Sequence, residues 1–178
     1  MMLLCAGNIG ILQQLDPILD AAGDLMNRGV KFIFLGDGAR REELARRAER
    51  EGMTNVGFLG FQPEGSFKSI LSSTDACLVT LQPGMDKLSP PSRAYTFLSA
   101  GRPLVAMMPR DSELAQLVTA TETGWNVLDG NELAAPALKL KDDLPEIEKR
   151  GVNARALYDD RFTKIKVSQE YIRLLGGA

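Results

Sequence analysis

The chain contains no histidine, and that absence excludes more chemistry than any other feature of its 178 residues. Serine–histidine and cysteine–histidine nucleophile pairs cannot be assembled within it, and neither can histidine-ligated zinc. Cysteine is scarce as well. Cys5 and Cys77 each sit in a strand-like apolar run. Two such residues make no disulfide framework, and they are expected to be buried, reduced thiols of a cytosolic protein. No apolar run approaches the roughly 20 residues that a membrane-spanning helix requires. The opening residues 1–6 are too short for a secretory signal and lack a charged lead. Neither sign of charge is in excess: the net charge is −2, so no basic field invites nucleic acid. Any chemistry must come from carboxylates, lysines, arginines, hydroxyls and backbone amides.

What the chain does hold is an ordinary globular balance, 44% hydrophobic and 25% charged. Its length supports one domain, residues 1–178, with a sizeable core. The pattern centres on residues 90–106. Two prolines end a loop, and Ser92 is placed to cap a helix, its hydroxyl accepting from a first-turn N–H. Gly101 closes that helix, Pro103 prevents its resumption, and Leu104-Val105-Ala106-Met107-Met108 reads as a strand. Helical spacing puts Ser92, Thr96 and Ser99 on one stripe and turns Phe97 and Leu98 away from it. Such a helix suits an anionic polyhydroxyl ligand at its positive end; it is equally an amphipathic helix with a wet face.

The rest alternates. Strands are expected at 2–6, 30–35, 55–59, 76–81, 104–108 and 125–128. Helices are expected at 16–28, 39–51, 64–73, 92–100, 112–119, 129–140, 144–160 and 162–175. Asp16-Pro17 reads as a cap followed by a first-turn proline. The arginine-rich second helix is balanced by glutamates and reads as a solvated face. Residues 82–91 form the longest irregular stretch, a candidate binding loop, and residues 176–178 are expected to fray. A chain that begins inside a strand suggests a piece of something longer, with a native start as the other reading.

Continuous apolar strands alternating with helices predict an α/β doubly wound parallel sheet of about six strands, with helices on both faces. Ligands of such sheets bind beyond the carboxyl ends of the strands, where the strand order reverses. Glycines concentrate in those turns, Gly7 and Gly10, Gly36 and Gly38, and Gly60, where backbone can approach a phosphate closely. The dinucleotide fingerprint fails at Ile9 and Leu12, and no P-loop sequence occurs.

The chain resembles the C-terminal, donor-binding half of a retaining GT-B glycosyltransferase of the "glycosyl transferases group 1" family, in the branch that builds bacterial surface polysaccharides. The resemblance is carried by Gly7-Asn8-Ile9-Gly10, by residues 16–22, by Phe32-Ile33-Phe34-Leu35-Gly36-Asp37-Gly38 and by Asn55-Val56-Gly57-Phe58-Leu59-Gly60. It continues through Asp75-Ala76-Cys77-Leu78-Val79, Pro91-Ser92-Arg93 and Ala100-Gly101-Arg102-Pro103, to Asn153-Ala154-Arg155 and Arg161-Phe162. Order and spacing, more than any single piece, make the match.

The resemblance implies a Rossmann-like half that holds a UDP- or GDP-sugar. A second, N-terminal domain outside this chain would hold a glycan or lipid-linked acceptor. It implies hexosyl transfer without cofactor or metal, inactivity of this half alone, and a cytoplasmic setting in which any membrane contact is made by the other half. Where the family carries a basic pair in the first turn this chain has Asn8 and Gln13, and where it carries two glutamates eight positions apart this chain has Leu88 and Thr96. Lys87, Arg93 and Arg110 are the replacement cations at hand, and Arg93 is the expected diphosphate contact. Gly7 and Gly36 are expected beside the phosphates, Ser92 at the donor site, and Thr96 on a ribose hydroxyl. Gly60, Phe61 and Gln62 are expected to line a base pocket, with core packing as the other reading of Phe61. No catalytic residue is assigned. The departures also permit a rival reading, a degenerate GT-B domain acting as a non-catalytic interaction module.

Overall fold

The computed structural model describes residues 1–85 and 91–176. Six strands form one sheet: β1 (Met2–Asn8), β2 (Lys31–Asp37), β3 (Val56–Leu59), β4 (Ala76–Thr80), β5 (Leu104–Met107) and β6 (Gly124–Val127). Their order is β3-β2-β1-β4-β5-β6 and every pairing is parallel. The order runs outward in one direction from β1 and in the other from β4, so the reversal lies between those two strands.

Eight helices accompany the sheet among the described residues: α1 (Asp16–Asp24), α2 (Arg41–Arg50), α3 (Glu64–Ser72), α4 (Arg93–Ser99), α5 (Glu113–Ala120), α6 (Gly130–Leu140), α7 (Leu144–Leu157) and α8 (Lys164–Leu174). The period of two in each strand divides the core. Leu3, Phe32, Phe34, Ala76, Leu78, Val105, Met107 and Val127 face one side and pack on α1, α2 and α6. Leu4, Ala6, Leu35, Cys77, Val79, Leu104 and Ala106 face the other and pack on α3, α4, α5 and α7. Phe97 and Leu98 of α4 are fully buried in this second layer, as their spacing predicts. Removing the Phe97 ring would cost about 3–5 kcal/mol in lost transfer energy and cavity formation. The doubly wound parallel sheet expected from the sequence is the fold observed.

The cysteines follow the same alternation. Cys5 packs against the first layer and Cys77 lies inside the second, so the sheet itself separates them. Cys77 is buried, while Cys5 is half-buried rather than fully enclosed as a residue. Burial holds the Cys5 thiol up at about 12 and pushes the Cys77 thiol up further. Both are therefore neutral thiols.

Several element ends differ from expectation. Gly7 and Asn8 belong to β1, paired with Gly36 and Asp37, rather than to a turn. Helix α1 stops at Asp24, short of Arg28. Met26 N–H donates to Gly23 O at 3.1 Å and Arg28 N–H to Leu25 O at 3.0 Å, a tightened turn. Asn27 then takes a φ of 62°, the left-handed region that asparagine tolerates. Asp16 does not cap α1: it lies inside the helix, Leu15 holds the cap position, and the Asp16 carboxylate pairs instead with Arg40, Nη1 to Oδ2 2.5 Å.

Ser92 does not cap α4 either. It has helical dihedrals, φ −56° and ψ −25°, so its hydroxyl cannot swing under the first turn. At the other end the reading holds: Gly101 takes φ 64°. Its N–H donates to Leu98 O at 2.9 Å and the next N–H, of Arg102, to Phe97 O at 3.0 Å, which closes the helix. Ser112 precedes α5 with extended dihedrals but makes no side-chain cap bond, and its Oγ is buried without a hydrogen-bond partner among the described residues. Helix α7 ends at Leu157 in a π turn over Tyr158–Phe162, rather than continuing to residue 160. The extra residue per turn lets Tyr158 and Phe162 both reach the second core layer, with the Phe162 ring 4.7 Å from that of Tyr95. Gly177 and Ala178 lie outside the described residues.

Candidate functional site

The strand reversal opens a crevice at the carboxyl ends of β1 and β4. Its volume is about 350 Å³. Strand β1 supplies Gly7 and Asn8 to its floor, β4 supplies Val79 and Thr80, and Pro91, Ser92 and Arg93 form the wall where α4 begins. A second recess, of about 380 Å³, continues over β2 toward α3. Gly7, Asn8 and Arg93 line both, so Arg93 stands where the two meet.

Close backbone contact builds this floor. Gly7 and Gly36 sit opposite each other across β1 and β2. A β-carbon on Gly36 would lie 1.9 Å from the Gly7 carbonyl oxygen, and its φ of 138° is one that only glycine adopts readily. The loops are then tied together. Ile9 N–H donates to Asp37 O at 2.8 Å, Arg40 N–H to Ile9 O at 3.0 Å, and Gln82 N–H to Leu12 O at 2.7 Å. Gln13 folds back on its own loop, its Oε1 accepting from Gly10 N–H at 3.2 Å. The Asn8 carboxamide is exposed and has no hydrogen-bond partner among the described residues.

Charge in the crevice is arranged around Arg93, the one cation among the described residues that line either recess. Two carboxylates share the second recess, and both are engaged elsewhere. Asp37 Oδ1 accepts from Gly38 N–H at 2.8 Å. Glu64 is 2.6 Å from Lys68 Nζ, whose hydrogen bond holds the Glu64 carboxyl below its ordinary value. Arg93 makes no ion pair among the described residues. The site can therefore offer a guanidinium that pairs with no carboxylate among the described residues, and close backbone, to an anion, beside apolar and amide surface.

The structure gathers Gly7, Asn8, Gln13, Ser92 and Arg93 into the first recess, and Gly36, Phe61 and Gln62 into the second. Phe61 is 86% exposed, so the core reading of that ring is wrong: the chain leaves β3 through Gly60 and Pro63 with the ring outward. Gln62 Nε2 donates to Gly60 O at 3.2 Å, which fixes its amide over the loop. Thr96 is half-buried along α4 and lines neither recess, and the Ser99 hydroxyl donates to the Thr96 carbonyl oxygen at 2.7 Å. The expected hydroxyl stripe therefore does not face the crevice as a unit. Arg110 lies away from it, held by Glu132 at 2.9 Å. Lys87 and Leu88 lie outside the described residues. Sequence reasoning did not single out Asp37, Glu64 and Phe67 as lining residues. The available signal was position: Asp37 ends β2, and Glu64 and Phe67 lie on the first turn of α3, at the carboxyl end of the sheet.

Comparison with known proteins places the chain in a family. The family model described as "Glycosyl transferases group 1" matches residues 1–143. A probable glycosyltransferase, WbjE of Pseudomonas aeruginosa, is 31% identical over 142 residues, covering 80% of this chain and 35% of that protein. Among solved structures, HepE of Anabaena in complex with UDP and glucose superposes with a TM-score of 0.81 at 20% identity, covering 99% of this chain and 48% of that one. The C-terminal domain of a glycosyl transferase group 1 family protein, LpcC of Francisella tularensis, superposes with a TM-score of 0.69 at 14% identity, covering 92% of this chain and 87% of that domain. The chain spans about a third of the length of the curated relatives it matches.

Proposed function

The chain belongs to the glycosyl transferases group 1 family, and we propose that it is the donor-binding half of a retaining GT-B hexosyltransferase whose donor is a UDP- or GDP-sugar. The observation that carries this reading is the Arg93 guanidinium at the strand reversal, beside Gly7 and Gly36, which makes no ion pair among the described residues. In the proposed reaction an acceptor hydroxyl bonds to the anomeric carbon on the face from which the diphosphate departs, so configuration is retained, and its proton passes to the departing phosphate oxygen. The bond from that carbon to the donor phosphate oxygen breaks, and the nucleoside diphosphate leaves. Negative charge accumulates on the leaving group, and Arg93 stabilises it there. A preorganised cation acts most strongly on charge that develops during the reaction. No metal is invoked. Phe61 and Gln62 would accept the base, the ring by stacking and the loop through its backbone groups.

The acceptor, a glycan or a lipid-linked sugar, is assigned to a further, N-terminal domain, and the chain alone is expected to transfer no sugar. The share of its relatives that it spans supports this division. So does α8, which leaves Ile165, Tyr171, Ile172 and Leu174 exposed, with Leu175 exposed just beyond it. The second reading, a degenerate binding module, rests on the neutral Asn8 and Gln13 where the family resemblance leads one to expect cations. The two separate by nuclear magnetic resonance of the labelled chain titrated with UDP and with GDP. A donor site predicts saturable shifts at Gly7, Gly36 and Arg93. Shifts confined to other surfaces, or none, would support the module.

A further inference from the structure

We infer that Phe67 is a positioning residue for Arg93, holding its guanidinium over the crevice in the pose that receives a diphosphate. This rests on the donor-site reading above. An exposed arginine explores many rotamers, and a ligand that uses it must order it first. Here two surfaces restrict that freedom. The Arg93 guanidinium carbon lies 5.9 Å from the centre of the Phe67 ring, within the range of about 6 Å where the negative face of a ring attracts a cation. The arginine also lies beside Gly7, where an added β-carbon would come within 3.4 Å of Arg93 Nε and 3.5 Å of its Cγ. The side chain is thus bounded by a ring and by a bare stretch of backbone.

Phe67 is suited to this because it is itself fixed. It is half-buried on α3 and packs against the second core layer. A guanidinium set against a ring keeps its N–H edges free for oxygen acceptors. The local carboxylates do not compete, since Asp37 is bonded to Gly38 N–H and Glu64 is paired with Lys68. Phe67 therefore acts through Arg93, without needing to touch the ligand.

The test is a double-mutant cycle read by calorimetric titration with UDP and GDP. Phe67→Leu keeps apolar volume and removes the ring; it is expected to weaken binding about threefold, the effect of one exposed cation–ring contact. Phe67→Tyr is expected to bind as the original chain does. In an Arg93→Gln background, Phe67→Leu is expected to have no further effect, and the Arg93 Nε–H resonance should lose its ring-current shift in Phe67→Leu but keep it in Phe67→Tyr. Unchanged affinity in Phe67→Leu, or an equal loss with and without Arg93, would overturn the positioning role while leaving the donor site standing. A folded original chain that binds neither nucleotide would overturn the donor site and this role together.

Discussion

Arg93 carries a charge that no carboxylate answers among the described residues, whereas Arg40, Arg47, Arg110, Arg150 and Arg155 are each ion-paired. An unpaired cation in a crevice is available to a ligand, and a charge-assisted bond to phosphate is worth roughly twice a neutral one. Arg93→Ala should therefore raise the Kd for a nucleoside diphosphate by about tenfold or more, and Arg93→Lys by less, because an ammonium keeps the charge but loses the planar fork. Thermal stability should barely change, since the side chain is exposed. The cysteines allow a separate check. With Cys77 buried and the half-buried Cys5 thiol pushed up to about 12, both should react with a disulfide reagent only slowly near neutral pH while the chain is folded, Cys77 more slowly than Cys5. Rapid labelling of the folded chain, followed by absorbance, would contradict the burial described.

Among the elements, α1 and α2 are joined by charge rather than by capping. The hydrogen bond from Arg40 holds the Asp16 carboxyl below its ordinary value, with the charges of Arg40 and Arg47 adding to it. A carboxyl whose pKa is lowered by folding stabilises the native state above its unfolded pKa, and that contribution is lost as pH falls through the folded value. Asp16→Asn should therefore lower the urea midpoint at neutral pH. The difference from the original chain should close in acid, once Asp16 is protonated in both states. A gap that persisted there would mean the substitution acts through packing instead. Because Asp16 is partly exposed, the effect at neutral pH should be small.

The same elements show where sequence was a good guide and where it was not. Strand alternation fixed both faces of the sheet, since a one-residue slip would turn Phe32 and Phe34 out of the core. Gly101 marked the end of α4 correctly. Ser92 and Asp16 were poorer guides, because cap residues compete with other uses: Ser92 continues the helical path and Asp16 is drawn to Arg40. At the crevice, Gly7, Gly36 and Arg93 were legible because they sit at strand ends and a helix start. Thr96 was not, because helical period gives a face and not a distance to a cavity. The pairing of Arg110 with Glu132 joins residues 22 apart, beyond the reach of local pattern.

For the whole molecule, the pattern of exposed apolar surface matters most. Helix α8 buries no side chain, yet carries a row of large apolar residues. Its removal after Thr163 should therefore shift the Tm by no more than about 2 °C and lower the fluorescence of a hydrophobic dye bound to the chain. A large loss of stability would show that α8 supports the sheet.

The calorimetric titration of the chain with UDP and with GDP bears most directly on whether the crevice at the β1–β4 reversal is a donor site. Saturable binding of one of them, in the micromolar-to-millimolar range and weakened by Arg93→Ala, is the predicted result. A folded chain that takes up neither, or one whose binding ignores Arg93, would contradict it.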